Sequence, residues 1–549
     1  MLLAASPARA SELVVGVVRD RDGFAVAAAR VTAVDAGGST LAEARSGGDG
    51  TFAADAPAAP ARVRVSCAYC ETLEVPYSPD LVVVVRRYAA LRDPGITAAD
   101  AAALPYDRAG GMLSLLPFTV LLGGALSDRW LGHGHGALVV DGLPFYRASD
   151  AVDAGLLLPS RAAAAANSLG ETHAGAYGGR SGAGLFTLDT LDAGAERLRA
   201  DTGGEGDAVL RAGGETLRAS AAWSRSDARA RAAADGTFVL GSGHLTLRAA
   251  SQRTASGHAG GGSASWETPM RGATLAASLA STGSYDRSAT GSDVVADLSV
   301  RGGSAVALTA GVRWRRSAGS LGTLEGVQRD ARAYVEAAHD DGVTRSFASL
   351  AVATVHEDAQ RPESLSGTDI LPSLEIERRL SAAVSLRAGY VASTLLPTIG
   401  GYAADLGDVR ERASLREAAL RFDDHRRLRA EVLVFRQSIA GETPSILGGA
   451  GFSATWQLAP AVAIRAWRLI AREHVSGATV YAPALDTTSF FDRDVIWLTA
   501  GTAVRLDAVL RGGVPEGALS LPLGPTLRLA VGTRKDARGR TATLGISAR

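Results

Sequence analysis

The chain has 549 residues and carries 57 basic against 57 acidic side chains, so no net charge recommends nucleic acid as a partner. Lys535 is the one lysine, which confines Schiff-base or lysine-base chemistry to a single position near the C-terminus. No run of about 18 uninterrupted apolar residues occurs, and this excludes a membrane-spanning helix.

The first ten residues, "MLLAASPARA", read as the tail of a secretory signal, with Ala8-Arg9-Ala10 fitting the small-x-small cleavage rule. Residues 11–80 read as short strands: "ELVVGVVRD", "ARVTAVDA", "TFAADA", "ARVRVSCAY" and "LEVPYS". They are divided by "DRDG", "AGG" and "GGDG", the turn chemistry of a small β-sandwich. Cys67 and Cys70 form "CAYC" in this β-rich context, away from the helix N-terminus that a redox CxxC uses. In one extended strand their Cα atoms stand roughly 10 Å apart, too far for a disulfide, whereas a turn between them permits one. Zinc needs a second ligand pair, which the sequence does not supply.

Residues 81–92 hold an apolar β-branched burst, Val82, Val83, Val84 and Val85, closed by two arginines. It suits either the last strand of the sandwich or an extended edge ahead of the next domain. Residues 93–193 mix helix and strand. "ITAADAAALP" predicts a helix with Thr97 as N-cap and a proline stop, and "PSRAAAAANSL" is helix-prone. "GALVVDGLPF" predicts a strand entering an Asp141-Gly142 turn.

The stretch "AYGGRSGAGLFTLD" sets Gly178, Gly179, Gly182 and Gly184 around Arg180 and then enters a strand. A phosphate loop needs Gly-Lys-Ser/Thr at its end, but Leu185 and Phe186 follow here, and no βαβ unit supports a dinucleotide site. His133 and His135 in "GHGHG" are two metal donors without a third, and "DDHRR" around His425 reads as a charged loop or strand end. No Gly-x-Ser-x-Gly elbow occurs at a strand-to-helix turn. The sequence therefore calls for no catalytic residue, metal or cofactor, and the chain is not expected to be an enzyme.

From residue 194 to 549 period-2 alternation recurs. In "AVALTAGVRWR", Val306, Leu308, Ala310, Val312 and Trp314 oppose Thr309, Gly311, Arg313 and Arg315. Arginine on the opposite face points to a closed transmembrane sheet, apolar outside and polar inside, because lipid leaves no solvent for an open edge. At about 16 residues per strand and turn, the roughly 355 residues give an antiparallel barrel of about 22 strands. A string of separate soluble β-domains is the alternative.

Three stretches resemble a known family. "ALVVDGLPFY" resembles the plug strand and turn of TonB-dependent outer-membrane receptors, and "AYGGRSGAGLFTLDT" resembles the closing segment of that plug. "ERASLREAALRF", after "STLLPTIGGY", resembles a barrel region of the same receptors. The resemblance implies a mainly β chain: a carboxypeptidase-regulatory-like β-sandwich over 11–80, a TonB-box-like linker over 81–92, an α+β plug over 93–193 and a barrel over 194–549. It makes Val82–Val85 the coupling segment, which adds as a strand to a periplasmic TonB-type energy-coupling protein. It makes the glycines near Arg180 the last bend of the plug, with Arg180 meeting Glu375, Glu377 or Glu431 on the barrel wall. The plug's Ile-Arg-Gly signature falls nearest "SDRWLGHGHG", where Arg129 stands. Implied further are outer-membrane lipid around a monomer, a periplasmic N-terminal domain, and uptake of a siderophore, cobalamin, oligosaccharide or peptide. A structural or adhesive surface protein without transport is the second reading.

Overall fold

The computed structural model describes residues 12–20, 29–46, 50–67, 70–79, 81–85, 96–97, 100, 104, 109–122, 125–129, 137–140, 143–145, 165–169, 185–189 and 197–201. It then describes 206–548 apart from connections between strands.

The first unit holds seven strands: β1 (Glu12–Asp20), β2 (Arg30–Val34), β3 (Thr40–Arg45), β4 (Thr51–Ala56), β5 (Arg62–Cys67), β6 (Cys70–Pro76) and β7 (Leu81–Val85). They form two sheets, β4-β1-β7 and β3-β2-β5-β6, around one core that includes Val14, Val18, Val31, Phe52, Val63 and Val83. Alternation drives this arrangement, since β4 buries every second residue against the facing sheet. Gly16 is required where β1 passes between its neighbours, because a Cβ there would lie 2.5 Å from the Leu81 carbonyl oxygen. Cys67 and Cys70 face each other in register across the β5–β6 hairpin, the turn geometry that brings two Cα atoms within disulfide reach. Strand β3 escaped the sequence reading because "TLAEAR" carries no clean apolar alternation.

The middle region contains β8 (Ile96–Thr97), α1 (Ala109–Leu113), β9 (Thr119–Leu122), β10 (Ala125–Asp128), β11 (Ala137–Val140), β12 (Leu143–Phe145), β13 (Ala165–Leu169) and β14 (Leu185–Asp189). Five of these strands make one sheet in the order β12-β11-β14-β13-β8, and β9 and β10 make a separate hairpin. Two local expectations change. Thr97 lies in β8, with a helical turn at Asp100, whose carbonyl accepts from the Leu104 N–H at 3.0 Å. The helix-prone "AANSL" is instead strand β13, held between β14 and β8, so pairing on both edges overrides the helix preference of alanine.

The remainder is one closed antiparallel barrel running from β15 (Arg197–Asp201) to β36 (Gly539–Ala548), twenty-two strands among the described residues. Pairing of Arg197 with Ser547 closes it and leaves no free edge. The strands that matter below are β23 (Val306–Leu321), β26 (Ser366–Arg379), β27 (Val384–Leu395), β28 (Glu411–Asp423), β29 (Leu428–Ala440), β30 (Ser445–Ala459), β31 (Val462–Gly477), β32 (Leu485–Ala500) and β33 (Arg505–Arg511). The alternation holds in space: on β23, Leu308, Val312 and Trp314 are exposed on the outer wall, while Arg315 is buried on the inner one. A single closed sheet thus replaces a string of separate domains. No helix among the described residues is long and apolar enough to cross a membrane.

The two ends differ. At one, which we call the upper end, the connections include 360–365, 396–410 and 478–484; at the other the longest are of the size of 380–383 and 424–427.

Candidate functional site

The barrel lumen is occupied. Ile96, Leu104, Met112, Leu113, Leu116 and Phe118 of the middle region share one core with inner-wall residues such as Leu433, Phe435, Trp467, Leu469 and Trp497. The middle region therefore packs inside the barrel, where we call it the plug for its position, and its contact with the wall combines an apolar centre with buried charge.

Two plug residues make the deepest contacts. Phe118 and Arg129 are the described non-glycine residues with positive φ, 59° and 57°, a region costly for bulky side chains. The Arg129 N–H donates to the Phe118 carbonyl at 2.8 Å, so the two bends brace the β9–β10 hairpin from both ends. The Phe118 ring meets Trp467 edge-on at 6.4 Å and sits where a Cβ on Gly451 would lie, 2.5 Å from a ring carbon. Glycine at 451 thus creates the socket for this ring. The Trp467 indole N–H donates to the Leu115 carbonyl at 3.2 Å.

Arg129 is fully buried and leads into a cluster of charges. Its guanidinium contacts Asp128 at 3.0 Å and donates to Glu417 on β28. Glu417 also accepts from Arg387 on β27 at 2.9 Å, and Arg387 reaches Glu431 on β29 at 3.3 Å and Glu375 on β26 at 3.8 Å. Arg421 pairs with Glu431 at 2.7 Å and approaches Glu377 at 3.8 Å. Three arginines therefore meet five carboxylates across four adjacent strands and the plug. Burial works against the Arg129 charge, but Asp128 and Glu417 outweigh it and raise the pKa above the ordinary arginine value. The group stays cationic, as a buried charge with carboxylate partners must. The Arg129 guanidinium also lies 5.6 Å from the Phe435 ring centroid.

Two further ties sit elsewhere on the wall. Asp100 accepts from Arg505 on β33 at 2.7 Å and from Arg465 on β31 at 3.2 Å. Ser114 accepts from Arg511 at 2.7 Å.

The residues singled out in the sequence fall as follows. Glu375, Glu377 and Glu431 are buried on the inner wall inside the charge cluster, and the plug cation entering it is Arg129, by way of Glu417. Arg180, Asp141, Gly142, Gly178, Gly179, Gly182 and Gly184 lie outside the described residues, as do His133, His135 and His425. Val82–Val85 belong to β7, which pairs in parallel with β1; Val83 and Val85 are buried, while Val82 and Val84 are exposed at 57% and 49%. No metal-binding group of three donors exists among the described residues. Sequence reasoning passed over Glu417 and Arg387. Their signal was parity: each lies an even number of residues from an inward neighbour, Leu415 and Val391 respectively.

No protein-family model and no curated protein matches the sequence. Solved structures do. The FrpB iron transporter from Neisseria meningitidis is similar over 83% of this chain and 98% of its own, with a TM-score of 0.67 at 10% identity. The siderophore receptor PirA from Pseudomonas aeruginosa is similar over 83% and 98%, with a TM-score of 0.64 at 14% identity. The copper transporter OprC is similar over 81% and 95%, with a TM-score of 0.64 at 12% identity. The chain has the fold of TonB-dependent outer-membrane receptors. At this identity the likeness concerns the fold alone.

Proposed function

We propose that the protein is an outer-membrane receptor that takes up a scarce ligand through its plugged barrel with energy from a TonB-type coupling protein. The observation that carries this reading is the seating of the plug: Arg129 and Phe118 enter a socket of charge and ring in a closed wall. A lumen filled this way passes no solute until something moves the plug, so transport has to be gated. A purely structural barrel has no need of ionised groups buried between plug and wall, since apolar packing of the same volume is often at least as stable. Ion pairs separate and re-form, and this suits a part that must leave and return.

In this reading the ligand is received at the upper mouth, among the longer connections, and the N-terminal unit lies in the periplasm as a carboxypeptidase-regulatory-like module. The coupling protein acts on the stretch 81–92. Because Val82–Val85 are also β7, force applied there must first strip β7 from β1. The glycine-rich bend around Arg180 and the Asp141-Gly142 turn close the plug. Iron, siderophore and copper appear in the names of the similar structures, and a siderophore leads the candidates ahead of cobalamin, an oligosaccharide or a peptide. No catalytic step is assigned to the chain.

The test is uptake by cells with and without the protein. Radio-iron on a catecholate or hydroxamate siderophore, labelled cobalamin, maltodextrin and peptides would be offered in turn. Accumulation of one of them that needs both the protein and the proton gradient supports the reading. Accumulation that is indifferent to the proton gradient removes coupling, and no protein-dependent uptake of any of them removes transport.

A further inference from the structure

The outer wall carries a row of arginines along one line of strand register. In the register of β27 to β32, Tyr390 pairs with Arg416, Arg416 with Arg436, Arg436 with Gly448, Gly448 with Arg472, and Arg472 with Phe490. The side-chain parity of each strand turns these positions outward, and all three arginines are exposed. With neighbouring strands about 4.8 Å apart, Arg416 to Arg472 covers about 14 Å.

Two features make the row unusual. Arg416 and Arg436 stand directly opposite each other, a like-charge pairing that destabilises a sheet unless an anion lies between. Among the described residues no carboxylate pairs with any of the three, and Arg472 rests 5.4 Å from the Phe490 ring centroid. The contrast lies on the same strand: Arg468, also exposed on the outer wall, pairs with Asp492 at 2.7 Å. Between Arg436 and Arg472 the wall is notched, since a Cβ on Gly448 would find its nearest neighbour, the Phe435 carbonyl oxygen, at 3.8 Å.

Below the row the wall on β28 to β30 is apolar, with exposed Leu420, Val434 and Phe452, while on β31 and β32 Ile470 is followed by the Arg468–Asp492 pair; Trp456 lies near the lower end of β30. Eight residues separate Gly448 from Trp456, which at the usual rise and tilt of a barrel strand is about 20 Å of height. That is close to the apolar band of a membrane barrel, bounded below by one aromatic and above by the arginines flanked by Tyr390 and Phe490. An arginine on a lipid-facing wall costs least near the interface, and Arg468, four residues lower on β31, carries its own carboxylate in Asp492. The row lies toward the end with the longer connections, which in such barrels faces outward.

We propose that Arg416, Arg436 and Arg472 clamp the phosphate of an anionic lipid in the outward-facing leaflet, with acyl chains lying on the apolar wall beneath. This rests on the membrane-barrel reading above. Guanidinium groups spaced across adjacent strands match phosphate oxygens in bidentate fashion, and the Gly448 notch gives a headgroup room to approach the strand backbone.

The experiment titrates the full chain, purified in a neutral detergent, with bis-phosphorylated lipid A, with phosphatidylcholine and with inorganic phosphate, and reads bound lipid by native mass spectrometry. Heat-modifiable mobility and insertion into phosphatidylcholine vesicles are recorded on the same sample. The expected result is retention of lipid A at least about ten-fold tighter than phosphatidylcholine, lost in R416Q/R436Q/R472Q and kept in R468Q. A wild-type preference under about three-fold overturns the inference whether or not the triple variant folds. Equal retention by wild type and a folded triple variant does the same, and displacement by inorganic phosphate alone reduces the row to a free-anion site. A chain that inserts into vesicles without lipid preference sinks this inference only; one that fails to insert sinks the membrane reading with it.

Discussion

Replacing Arg129 with methionine keeps an unbranched apolar stem in place of the side chain while removing its charge. Asp128 is left buried without that cation, and Glu417 retains only Arg387 of its two arginine partners. Breaking a buried ion pair by deleting one partner costs about 3–5 kcal/mol, most of it the desolvation of the charge left behind. The barrel ladder does not depend on this contact, so the loss falls on the seating of the plug. At about 1.4 kcal/mol per factor of ten, the plug should open roughly two to three and a half powers of ten more often. Hydrogen exchange reads this directly: amides of β9 and β10 should lose that much protection, while those of β29 to β31 keep theirs. The double variant D128N/R129M should recover part of the loss, because it also removes the carboxylate that faced the lost guanidinium at 3.0 Å. If β9 and β10 exchange in R129M within about three-fold of wild type, the ion cluster does not hold the plug and the reasoning fails.

Gly451→Ala puts a methyl group against the Phe118 ring and should destabilise the plug by about 1–3 kcal/mol, seen as a lower urea midpoint for plug unfolding and restored in part by Phe118→Leu. Trp467→Phe leaves the Leu115 carbonyl without its indole donor and should destabilise the plug by about 1–3 kcal/mol, seen as a lower value of the same midpoint, with barrel closure unchanged in heat-modifiable mobility. Asp100→Asn weakens two ties at once, to Arg465 and Arg505, and should expose the plug to limited proteolysis while leaving the N-terminal unit intact. Tyr77 donates to Glu12 at 3.1 Å, and burial together with that carboxylate raises the phenol pKa. A raised acid pKa adds stability below the unfolded value of about 10 that is lost as pH climbs through the folded one. Tyr77→Phe should therefore remove an alkaline slope in the melting of the N-terminal unit and leave the neutral region flat.

The barrel was legible in the sequence because one constraint repeats along it: an inner wall and an outer wall demand opposite residues at every step, as on β23. The first sandwich was legible for the same reason, at β1 and β4. The plug was harder. Its strands are short and paired on both edges, so "AANSL" reads as helix by composition while its neighbours hold it extended. The charge cluster was half visible. Glu375, Glu377 and Glu431 stood out as inner-wall carboxylates, but Arg129 sits in "SDRWLGHGHG" with no periodicity to mark it, and its importance comes from a left-handed backbone bend. The arginine row was hidden altogether, since Arg416, Arg436 and Arg472 become neighbours only once three hairpins set their register.

The central claim is a membrane barrel closed by its own plug, and electrical conductance of the purified chain in a planar lipid bilayer tests it most directly. The account predicts that the protein inserts and passes almost no current until urea or R129M loosens the plug, after which discrete openings appear. Insertion with steady current through the untreated protein, or no insertion into lipid at all, would contradict it.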